Sequence, residues 1–152
     1  MSQPPFDVTV AHRWFAVEFN HRAWDLVEKI GRTAHEADEM IHAAHAAAIH
    51  WQAAGTPLNA QQAENLLATA YLKAGKPDPA LHHAQRSLAL SEQNGSTQTP
   101  FDRATTLAAA AKAYNLAGNG GEALRLITLA VAEADKLSDD ERAVFDRLFG
   151  EV

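Results

Sequence analysis

Helix stops and helix starts follow one another along the whole chain, and few architectures other than a stack of short helices satisfy them. Gly31 is followed by Thr33 and Glu36, an S/T-x-x-E capping box. There the Thr hydroxyl and the Glu carboxylate each accept from a backbone N–H that the new helix would otherwise leave unpaired. Gly55 precedes Thr56-Pro57 and Asn59, Gly75 precedes Asp78-Pro79, and Asn94-Gly95 precedes Thr99-Pro100. Gly118 precedes a helix over about 122–136, and Ser138 with Glu141 forms a last capping box. Proline at the first helical position loses nothing by lacking an N–H, and glycine past the last turn takes the left-handed backbone that ends a helix. With a first helix from Asp7 or Thr9 to Gly31, this predicts an all-α fold of about seven helices. The connections are so short that successive helices must lie antiparallel. Alanine, the best helix former, supplies 32 of 152 residues and reinforces the reading. No alternation of apolar and polar residues is long enough for a strand.

Composition removes several classes of function. With no cysteine, disulfides, thiolate metal sites and thiol catalysis are excluded. A net charge of −6 argues against nucleic acid and anionic membranes as partners. The opening Met-Ser-Gln-Pro-Pro-Phe-Asp lacks a basic stretch leading into an apolar run, and no apolar segment approaches the ~18 residues of a membrane span, so a cytoplasmic location is expected. No serine lies in a Gly-x-Ser-x-Gly elbow, there is no phosphate-binding glycine loop, and His35-Glu36 lacks the second histidine of a His-Glu-x-x-His motif. These absences favour an interaction protein over an enzyme, with a metal-binding helical protein, and through it a metal-dependent enzyme, as the alternative.

Two segments repeat one pattern. Tyr71 is followed by Gly75, Ala80, Leu81 and Ala84, and Tyr114 is followed at the same offsets by Gly118, Ala123, Leu124 and Ile127. An aromatic near the end of one helix, a glycine turn and a small residue opening the next resembles the tetratricopeptide repeat over about 65–135. The tyrosines are 43 residues apart, longer than the usual period of that family, and no proline closes the first copy. The resemblance implies one domain over 1–152 in a right-handed array of helical hairpins. Its parts are a divergent first hairpin (1–55), two tetratricopeptide-like hairpins (56–95 and 99–136) and a C-terminal capping helix (138–149).

It also implies a concave groove lined by the first helix of each hairpin, suited to a protein or peptide partner or a second copy of the chain. The positions carried over are Gln62, Asn65, Thr69 and Lys73 on the third helix, and Thr105, Ala108, Lys112 and Asn115 on the fifth. Of the Lys, Arg and Asn side chains with which the chaperone-binding branch clamps a carboxylate, Asn65 and Lys112 alone would remain, so chaperone tails are not the expected ligand.

A second reading starts from the eight histidines. Glu18, His21 and Asp25 share one stripe of the first helix, and His35, Glu39 and His42 share one of the second. The tight turn at Gly31-Arg32 sets His21 beside His42 and Asp25 beside Glu39. If both stripes face the seam, Glu18, His21, Asp25, Glu39 and His42 would form a site for Zn²⁺, Mn²⁺ or Fe²⁺. The alanines around His45, His50 and Trp51 suggest that the second helix is central, with His50 across the seam from Trp14. Of His82 and His83, adjacent on one helix, at most one can face inward.

Overall fold

The computed structural model describes residues 2–150; positions 1, 151 and 152 of the expected domain lie outside the described residues. Seven α-helices and no strand occur among them: α1 (Val8–Glu28), α2 (Ala34–Ala54), α3 (Pro57–Lys73), α4 (Pro77–Asn94), α5 (Pro100–Leu116), α6 (Gly120–Ala134) and α7 (Asp139–Phe149). A 3₁₀ turn over Gly95–Thr97 separates α4 from α5. Capping boxes open α2, α3, α5 and α7 at Thr33, Thr56, Thr99 and Ser138. At α4 the expected start shifts by two residues. Pro77 takes the first helical position and Asp78 lies in the first turn, so Lys76 is a cap without a side-chain bond. Both Pro77 and Pro79 then fall among the first four residues, whose N–H groups need no intrahelical partner.

The helices pack as three antiparallel hairpins, α1–α2, α3–α4 and α5–α6, stacked through α2–α3 and α4–α5. The first helices of the hairpins also touch one another, α1 against α3 and α3 against α5. The second and third hairpins turn by the same bonds. Lys76 N–H donates to Tyr71 C=O at 2.9 Å and Gly75 N–H to Leu72 C=O at 3.1 Å. Asn119 and Gly118 repeat these bonds to Tyr114 and Asn115 at 2.9 and 3.1 Å. Gly75 and Gly118 make this possible at φ of 70° and 83°, where a Cβ would be strained. Each tyrosine then reaches back to the second helix of the preceding hairpin. The Tyr71 hydroxyl meets His45 Nε2 at 2.8 Å, and the Tyr114 hydroxyl accepts from Gln85 Nε2 at 3.2 Å.

The central rods are α3 and α5, not α2. Residues 61 and 63–70 of α3 and residues 104–111 of α5 are buried on every side, whereas Ile49 of α2 is 62% exposed. The reason is position in the stack: α2 packs mainly on α1 and α3, whereas α3 is packed against α1, α2, α4 and α5, and α5 against α3, α4, α6 and α7. Buried polar groups lock α3, α4 and α5 together. Gln61, fully buried, donates to Gln98 Oε1 at 3.0 Å and Thr106 Oγ1 at 3.1 Å and accepts from Asn94 Nδ2 at 2.8 Å.

The last helix does more than close the end of the array. Phe145, Leu148 and Phe149 are buried in the main core, and α7 packs on α5. On the same C-terminal part of the helix, Arg147 Nε donates to Glu28 Oε2 of α1 at 2.9 Å. So this end of α7 meets both α5 of the last hairpin and α1 of the first.

Ala80 and Ala110 have no exposed surface. Leucine at either site forces extra methylenes into a filled core and should destabilise the fold by ~1–3 kcal/mol. Chemical denaturation of Ala80→Leu and Ala110→Leu measures this, and unchanged midpoints would mean that the helices do not approach there.

Candidate functional site

The expected groove residues fall on one face but not in one pocket. Thr69, Lys73, Lys112 and Asn115 line a cavity of about 250 Å³ together with Leu148 and Phe149 of α7. Gln62, Asn65 and Thr105 line a second, of about 390 Å³, with Trp24 of α1, Phe101 of α5 and Leu148. Leu148 borders both, so α7 divides this face into two ends. Ala108 is fully buried between helices and lines neither.

The two ends differ in charge. At the first, Lys112 Nζ lies 5.8 Å from the centre of the Phe149 ring, a cation–π distance. Burial, followed by the nearby Lys73 ammonium, pulls its pKa below the ordinary lysine value. The second end carries the carboxylates of Glu28 and Asp102 and no Lys, Arg or His. Glu28 is matched by Arg147, whereas Asp102 is held by neutral donors: Gln62 Nε2 at 2.9 Å, and the Thr99 N–H and hydroxyl each at 2.9 Å. Asn65 is 6% exposed and its Oδ1 has no hydrogen-bond partner. A buried orphan of this kind costs about 1–3 kcal/mol unless a ligand or water supplies the missing donor.

The histidine and carboxylate cluster expected between the first two helices does not form. Among the described residues no three His, Asp or Glu side chains are placed to hold a metal ion. Glu18, His21, Asp25 and His42 are exposed, and Glu39 accepts from Arg22 Nη2 at 2.6 Å and Nε at 2.8 Å. The apolar faces explain this. The hairpin buries Ala16, Ala23, Leu26 and Val27 against Met40, Ala43, Ala44 and Ala47. Glu18, His21, Asp25 and His42 each stand two residues from one of these, about 200° round the helix, and so point outward.

Other histidines do find partners, in two groups that spacing alone did not pair. His50 meets His12, not Trp14: their Nδ1 atoms are 2.8 Å apart, and Phe15 and Phe19 stack on His50 at 5.3 and 6.0 Å. At the α2–α3–α4 junction His83 Nδ1 lies 2.7 Å from Glu64 Oε2, while Arg86 Nε donates to Glu64 Oε1 at 3.0 Å. Tyr71 stacks on His83 at 5.6 Å and shares a hydrogen bond with His45. His83 is thus the inward member of its pair and His82 the exposed one. The signal present in the sequence was the seven-residue spacing of Glu64 and Tyr71, which places both on one face of α3.

No family model matches the chain, and no curated protein or solved structure matches it. Among the described residues, no helix is long and apolar enough to cross a membrane.

Two expectations follow. Because Arg22 occupies Glu39 and the other four groups diverge, Zn²⁺ or Mn²⁺ should leave the melting temperature of wild type and of His21→Ala/His42→Ala unchanged. A rise seen in wild type and lost in the double variant would restore the metal site. Burial, then the neighbouring His83, lowers the His45 pKa below 6.5, and burial, then His12, lowers that of His50. The unfolded chain therefore binds more protons than the folded one just below 6.5, so stability should be full above that pH and fall as pH drops through it. Thermal melts at about pH 7.5 and about pH 5.5 should differ less in His45→Gln/His50→Gln than in wild type.

Proposed function

We propose that this protein is a tetratricopeptide-like interaction module that binds a protein or peptide segment along the concave face of α1, α3 and α5. The observation that carries the reading is the convergence of polar side chains from two successive first helices on one open face. Thr69 and Lys73 from α3 meet Lys112 and Asn115 from α5 around one cavity, while Gln62 and Asn65 stand with Thr105 around the other. Amide, hydroxyl and ammonium groups in such a row match the alternating donors and acceptors of an extended backbone. The repeated tyrosine–glycine turns support the family likeness, since two hairpins end by identical bonds at equivalent residues. Lysines at one end and carboxylates at the other give the groove a polarity, which would orient a bound segment.

A peptide array probed with the purified protein supplies ligands, and fluorescence polarisation ranks them. Lys73→Ala/Lys112→Ala and Gln62→Ala should each weaken the selected peptides roughly tenfold or more, at unchanged helicity. Glu92→Ala/Gln93→Ala on the outer face of α4 should leave them unaffected. The opposite pattern would move the interface to the convex side.

A further inference from the structure

Two lysines stand on one wall without a counter-charge. Lys29 and Lys136 pair with Glu36 and Glu133, whereas Lys73 and Lys112 have no carboxylate in ion-pair reach among the described residues. Both line the cavity of about 250 Å³ between α3, α5 and α7, and no Asp or Glu among the described residues shares that wall. Lys112 is partly desolvated and the charge acting on it is the Lys73 ammonium, so both effects disfavour its charged form. An anion placed between the two ammonium groups relieves their repulsion. Asn115 beside them adds an amide that can donate, while the Thr69 hydroxyl is spent on the Asn65 carbonyl of its own helix at 2.8 Å. Beyond Lys73 the surface continues with Lys29, Arg32 and Arg147 against one carboxylate, Glu28, which Arg147 holds. In a chain of net charge −6 this is a local excess of positive charge.

Lys112 and Asn115 also border a second cavity, of about 330 Å³, along α5 and α6. Past Asn115 and the start of α6 at Gly120, its side chains are methyl and aliphatic: Ala111, Ala123, Leu124 and Ile127. Leu124 is 67% exposed, and Leu116, which lines the first cavity, is 58% exposed. Large apolar side chains left open beside unpaired cations suit a ligand charged at one end only. A peptide would bring an N–H and a C=O with every residue, and the second cavity holds no side-chain partner for them beyond Lys112 and Asn115. An alkyl chain brings no such groups. We propose that the adjoining cavities bind a carboxylate on an alkyl chain, with the carboxylate between Lys73 and Lys112 and the chain on Leu124 and Ile127. The site does not rest on the groove reading given above, although the two share both lysines.

Isothermal titration of the full chain with decanoate, kept below its micelle concentration, tests the site directly. One decanoate per chain should bind, roughly tenfold or more tighter than decyltrimethylammonium, which keeps the chain and reverses the charge, and than acetate, which keeps the charge and lacks the chain. Lys73→Met/Lys112→Met retains the apolar stems and should lose roughly tenfold or more in decanoate affinity. Leu124→Gln, at an exposed position with a good helix former, should weaken decanoate several-fold at an unchanged melting temperature. No binding of decanoate, equal affinity for decyltrimethylammonium, or undiminished affinity in either variant would each overturn the proposal. So would acetyl-Gly-Gly-Leu with a free carboxylate binding as tightly as decanoate, which would assign the lysines to a peptide terminus. If array-selected peptides bind the groove while decanoate does not, the alkyl carboxylate site falls and the groove reading stands. If decanoate binds as expected and no peptide does, the groove reading falls and the site stands.

Discussion

Close approach of α5 to its neighbours is the constraint on which the remaining architecture depends. Ala104, Ala108, Ala109, Ala110 and Ala113 have no exposed surface, and Ala111 little. With a methyl group as the side chain on nearly every side, α5 accepts α3, α4, α6 and α7 as direct neighbours. Such packing gains dispersion contacts at little cost in side-chain entropy, but it tolerates no larger residue. The large apolar side chains then sit at the edges of these contacts, Leu66 and Leu67 on α3, Leu126 on α6 and Phe145 on α7, where they fill what the alanines leave open.

Alanine faces fit together in many registers, so something else must choose one. Polar bonds between hairpins do this. Gln61 joins α3 to Asn94 of α4, to Thr106 of α5 and to Gln98 in the connection between them. The tyrosine hydroxyls at 71 and 114 fix each hairpin to the one before it. Sliding a helix by one turn would strand several of these buried groups, a penalty paid once per broken bond, whereas the intact network costs little. The tyrosine contact is made with His45 in one place and Gln85 in the other, so the two turns share a geometry rather than a particular partner side chain.

The face of α1, α3 and α5 inherits its character from α7. Leu148 separates a lysine-bearing end from a carboxylate-bearing end, and Arg147 ties the same helix to α1 through Glu28. Asn65 stands out because the other buried side-chain polar atoms of the described residues have partners.

The amino-acid sequence by itself determined the helices, their ends and their antiparallel order. Capping boxes, prolines and glycines act over four or five residues, and that range lies within what a linear reading resolves. It also located the two equivalent turns after Tyr71 and Tyr114. Tertiary structure alone decided which way each helix is rotated and what lies across from it. The stripe of Glu18, His21 and Asp25 could have faced the seam or solvent by spacing; burial of Ala16, Ala23, Leu26 and Val27 sent it to solvent. The pairing of His83 with Glu64 and of His12 with His50 joins residues 19 and 38 positions apart, and the course of α7 joins Arg147 to Glu28 over 119. Periodicity fixes the angle between residues on one helix, but rotation about the helix axis is set by how apolar faces close against each other, and that is a property of the packed chain.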